Sequence, residues 1–98
     1  MQSKGVEMIA AERRRQIEAE GWTKEHDEQH SNGELALAAA AYAVPDHLAD
    51  IQMYLWPWGP EWYKQRDRIR NLVRAGALIA AEIDRLLAQE GGADGATD

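Results

Sequence analysis

The chain has 98 residues, carries a formal net charge of −6 and holds no cysteine. A length of this order predicts one domain with one modest core. Absent cysteine excludes disulfides, thiol nucleophiles and cysteine-based zinc sites, and the net negative charge argues against a duplex nucleic acid as partner.

The first predicted helix covers residues 6–20, with Val6, Ile9, Arg13 and Ile17 at three- and four-residue spacing and Gly21 as its stop. Thr23 is placed to cap a short turn over 24–30. Ser31-Asn32-Gly33-Glu34 has the S-x-x-E form of a capping box. It introduces a second helix over 33–43, with Leu35, Ala38, Ala39 and Tyr42 on one face. Pro45 ends that helix and opens a short helical turn over 45–54. Trp56-Pro57-Trp58-Gly59-Pro60 holds two prolines and a glycine and reads as a loop. The last helix is expected over 60–89. Its expected core stripe is Ile69, Leu72, Val73, Gly76, Ile79, Ala80, Ile83, Leu86 and Leu87. Gly91-Gly92 ends it. The fold class is all-α: a single helical domain over 1–90 with three main helices, a Trp/Pro-rich loop and a short helical turn, followed by a disordered tail over 91–98. No run of about 18 apolar residues is present, and no apolar signal core follows Met1-Gln2-Ser3-Lys4, so no membrane is expected as partner and the expected location is the cytoplasm.

Three groups of residues could carry chemistry. His26 and His30 are four apart and share a helix face with Asp27 between them. That spacing resembles the zinc-protease H-E-x-x-H motif, but Asp27 replaces the glutamate and is too short to reach the same water. No metal and no cofactor are assigned. The remaining readings are a polar helix start, favourable to the helix dipole, or a set of hydrogen-bonding groups for a polar ligand. Three of the four tryptophans, Trp56, Trp58 and Trp62, fall within seven positions, after Trp22 far upstream. They can supply the large side chains that an alanine-rich core lacks, or form a stacking platform for a nucleobase. Lys64, Arg66, Arg70 and Arg74 follow the loop. Arg66, Arg70 and Arg74 share one stripe of a helix, where like charges repel unless offset. Pairing with Glu18, Glu20, Asp27 or Glu28 would offset them, and so would a bound phosphate, which matches the guanidinium fork.

The stretches "ERRRQIEAEGWTKEHDEQHSNGELALAAAAYA", "WPWGPEWYK" and "RDRIRNLVRAGALIAAEIDRL" resemble a group of small phage and prophage proteins over residues 12–86. That group carries no established activity to transfer. Gly21-Trp22 followed by Glu25 to His30 is also similar to the ryanodine-receptor-type repeat, up to residue 34. That likeness implies nucleotide or peptide recognition on a small helical unit.

The expected function is therefore binding, and a metal-dependent hydrolase using His26, Asp27 and His30 is the third and weakest reading. The ligand would be a nucleotide-derived, immune-type signal, sequestered in the host cell. Trp22, Trp56, Trp58 and Trp62 would stack the base. Lys64, Arg66, Arg70 and Arg74 would hold phosphate. His26, Asp27 and His30 would bond sugar or base edges. The alternative is a module that docks or inhibits a host defence protein, since Trp, Tyr and Arg are also interface hot-spot residues. Homo-oligomerisation is expected as well, from the small residues of "AGALIAAEI", 75–83, which allow helices to approach closely.

Overall fold

A computed structural model describes residues 3–21 and 29–94, with the side chains of 91–94 outside the description. The chain is all-α, and no strand occurs among the described residues. Four α-helices run in order among the described residues: α1 Lys4–Ala19, α2 Glu34–Ala43, α3 Ala49–Leu55 and α4 Arg68–Asp94. Two 3₁₀ turns, Asp46–Leu48 and Pro60–Trp62, precede α3 and follow it. No helix among the described residues is long and apolar enough to cross a membrane.

Local chemistry explains most of the boundaries. Ser3 caps α1, its hydroxyl accepting from the Val6 N–H at 3.2 Å. Gly21, at φ 71°, takes the left-handed conformation just beyond the helix, as expected. The cap of α2 differs from the expected box. Gly33 occupies the cap position at φ 85° with no side-chain bond. Glu34 instead turns its carboxylate back to the Asn32 N–H at 2.7 Å. A bond from its own backbone N–H, followed by that from Asn32, holds the Glu34 carboxyl below its usual range.

The largest boundary difference is at α4. Pro60 starts only a single 3₁₀ turn, and 63–67 are not helical. Tyr63 is drawn instead into the aromatic core, stacked on Tyr42 at 4.9 Å. The long helix begins only where Asp67 can cap it, its Oδ1 accepting from the Arg70 N–H at 3.0 Å. Buried Asn71 accepts from the Arg66 N–H at 2.8 Å and secures the same end. At the other end α4 continues through Gly91-Gly92 to Asp94. The tail expected from residue 91 is therefore helical to 94; residues 95–98 lie outside the described set.

The core is the α2–α4 contact. Leu35, Ala38, Ala39, Ala41 and Tyr42 meet Ala75, Leu78 and Ala81, with Trp56 closing one end. Alanines on both sides allow a close helix approach. The expected core stripe of α4 is corrected by this arrangement. Val73 is buried, but Ile69, Leu72, Ile79, Ile83, Leu86 and Leu87 are all exposed. The buried positions are Asn71, Val73, Ala75, Ala77, Leu78, Ala81 and Arg85. The small residues of 75–83 are thus spent inside the chain. α1 crosses α4 at Gly76, where a Cβ would lie 2.5 Å from Ile9 Cδ1. The stripe expected on α1 shifts too: Val6 and Ile17 are exposed, and Glu12 and Gln16 are buried.

Candidate ligand-binding site

A cavity of about 640 Å³ opens between α1, α2, α4 and the tryptophan loop. Its aromatic wall comes from Tyr42, Trp56, Trp58 and Trp62. The loop holds its shape by local bonds. Trp56 is buried, and its indole N–H donates to the Gly59 carbonyl at 3.0 Å. Its ring meets Trp58 edge-on at 5.2 Å, Tyr42 at 5.4 Å and Tyr63 at 4.9 Å. His30 adds a further edge contact to Trp58 at 5.2 Å. Trp56 is therefore core and cavity wall together, Trp58 is half-buried, and Trp62 stands on the rim, 61% exposed.

The opposite wall is polar and comes from α1, with Glu12, Arg15, Gln16 and Glu20. These residues recur along one helix face, the signal by which the sequence could have revealed them. Glu12 is 2% exposed and central. Arg15 holds both its oxygens at 2.9 Å, Gln16 donates to Oε2 at 3.2 Å, and Arg70 reaches Oε1 from α4. Burial alone would raise the Glu12 carboxyl. The bonds from Arg15 and Gln16 and the charges of Arg15 and Arg70 outweigh it and hold the group below its usual range. Glu20 binds Arg15 from the other side at 2.6 Å, and the two carboxylates raise the guanidinium further. Gln16 is also 2% exposed, and its Oε1 lies buried without a hydrogen-bond partner.

The basic rim consists of Lys64 and Arg74. Lys64 Nζ stands 5.9 Å above the Trp62 ring, and Arg74 stands 5.8 Å over Tyr42. Arg74 also donates to the Lys64 carbonyl at 2.8 Å, and its Nε is without a partner. The Lys64 N–H donates to the Tyr42 hydroxyl at 3.0 Å, which ties the rim to the core.

Of the residues expected to bind, His30, Trp56, Trp58, Trp62, Lys64 and Arg74 converge on this cavity. Arg66 and Arg70 do not line it. Arg66 precedes α4 and donates to the neighbouring Gln65 carbonyl at 3.0 Å, so the expected three-arginine stripe is broken at its first member. Arg70 is taken by Glu12, an acid outside the four expected partners. Trp22, His26 and Asp27 lie outside the described residues. Arg68 has a structural task, donating to the Ala43 and Val44 carbonyls at 2.7 and 3.0 Å and so covering the end of α2.

No protein-family model matches the chain, and neither does any curated protein or solved structure.

Proposed function

We propose that the chain binds a nucleotide-derived small molecule in this cavity. The observation that carries the reading is the joining of an aromatic wall to a basic rim around about 640 Å³, a volume in the usual range for small-molecule sites. A nucleobase would stack on Trp58 and Trp62, where each indole contact is worth about 1–3 kcal/mol. Phosphate would sit against Lys64 and Arg74, neither of which pairs with a carboxylate among the described residues. The buried Gln16 Oε1 needs a donor, and the exocyclic amine of a base supplies one. His30 flanks the stack. The phage-type resemblance makes a host immune signal, such as a cyclic oligonucleotide or an ADP-ribose-type molecule, the class to assay first. The chain would then act by sequestration in the host cytoplasm.

Titration calorimetry of the purified protein against a panel of such nucleotides tests the reading. Saturable binding that is lost in Trp58→Ala supports it. Heat-silent titrations across the panel at high-micromolar ligand remove it. The second reading, a module that docks a host defence protein, rests on Trp62 and on Tyr54, which is 87% exposed. A stoichiometric host protein retained by the wild type and lost in Trp62→Ala, with no nucleotide bound, would select it.

A further inference from the structure

The outer face of α4 is apolar and open. Ile69, Leu72, Ile79, Ile83, Leu86 and Leu87 are each 43–64% exposed. With Gly76 counted between Leu72 and Ile79, positions 69, 72, 76, 79, 83 and 86 alternate steps of three and four, the repeat of a two-helix seam, and Leu87 lies beside it. Such a seam carries a cost if left in water, because each half-exposed branched side chain forgoes part of its hydrophobic burial. The cause is geometric. At 27 residues α4 is about 40 Å long, and α2 packs on its opposite face, against Ala75, Leu78 and Ala81. α1 crosses α4 at Gly76, where Ile9 fills the position, and the seam residues on either side stay 43–64% exposed.

We propose that a second copy of this chain covers the seam, with the two α4 helices antiparallel about a two-fold axis near Ile79. The inference is independent of the ligand reading. Charge fixes the occupant and its direction. Residues 64–74 hold five cations, Lys64, Arg66, Arg68, Arg70 and Arg74, against Asp67 alone. Residues 82–94 hold Glu82, Asp84, Glu90 and Asp94 against Arg85 alone. A parallel pair would set basic end on basic end and acidic on acidic. An antiparallel pair sets each basic end beside an acidic one, so a second copy is complementary to the first even with Arg70 held by Glu12, Asp84 by Arg13 and Glu82 by Arg85 within the chain. Ile79 stands near the midpoint of the 69–87 stripe, so Leu72 of one copy faces Leu86 of the other. The six side chains alone would bury on the order of 1,000 Å² over both copies, the size at which specific interfaces begin. A two-fold contact is also closed, so it makes a dimer rather than a filament.

Light scattering coupled to gel filtration, from ten to several hundred micromolar, reads the mass. The expected value is twice the 11.0 kDa of one chain, about 22 kDa. Ile83→Glu and, separately, Leu87→Glu should each return it to that of one chain, with the helical circular dichroism kept. Ile83→Leu should leave the dimer intact. A wild type at the mass of one chain throughout, or a charged variant that stays dimeric, overturns the interface. Direction is read by cysteine cross-linking, clean in a chain without native cysteine. Leu72→Cys mixed with Leu86→Cys should form the mixed disulfide. A Leu72→Cys homodimer formed in preference to it overturns the antiparallel arrangement.

Discussion

The two faces of α4 reverse the usual division of labour. The inner face is built mostly of small and polar residues, Asn71, Ala75, Ala81 and Arg85 around a single Leu78, and is buried. The outer face has the larger aliphatic side chains and is half open. Burial here follows closeness of approach. Alanines admit α2 at short range, and the polar members are bonded locally, Arg85 to both oxygens of Glu82 at 2.9 Å and Asn71 Oδ1 to the Arg66 N–H, while the Asn71 Nδ2 is buried without a partner. The stronger apolar face is left for a surface outside the chain. The cavity repeats the contrast between its aromatic loop wall, which packs on the core, and its polar α1 wall, held by one buried carboxylate.

Four changes would break or sharpen this contrast. Ala81→Phe puts a ring where 0% of the residue is exposed and should cost about 3 kcal/mol in urea unfolding. A cost near zero would mean that the α2–α4 contact is loose. Glu12→Gln strips the α1 wall of its charge. It should cost about 2 kcal/mol, the worth of charge-assisted bonds to Arg15 and Arg70. The pH dependence has a definite sign. The folded carboxyl titrates below the ordinary 4.5, so its contribution is present above that value and is lost as pH falls through the lower folded one. Acid unfolding followed by circular dichroism should therefore flatten below pH 4.5 in Glu12→Gln relative to wild type. Trp58→Ala should weaken the nucleotide identified by calorimetry by about 10- to 100-fold, the worth of one stack. The smallest effect is on the outer face. In the monomeric Ile83→Glu background, Leu87→Gln should change stability by no more than about 0.5 kcal/mol. A larger loss would show that the outer face is part of the chain's own core.

Parts of the site were legible because they depend on neighbours in sequence. Trp56 to Trp62 form one loop, and Lys64 follows it, so their convergence needs only local geometry. The α1 wall was legible only as a polar face, Glu12, Arg15, Gln16 and Glu20 at helical spacing, and its burial was not. Val6, Ile9 and Ile17 suggested an apolar stripe, yet Glu12 and Gln16 are buried because Arg70, 58 residues away, arrives to neutralise the carboxylate. No pattern within α1 encodes that partner.

By itself the sequence determined the all-α class, the stops at Gly21 and Pro45, the loop at Trp56–Pro60 and the alanine face of α2. These follow from propensity, backbone restriction and local periodicity. Only the tertiary structure decided where α4 begins, which of its faces turns inward and which arginines reach the cavity. A helix with large aliphatic residues on one side and alanines on the other has two faces to bury. The choice rests on which neighbour can come closest, and α2, itself lined with alanine, fits the small face.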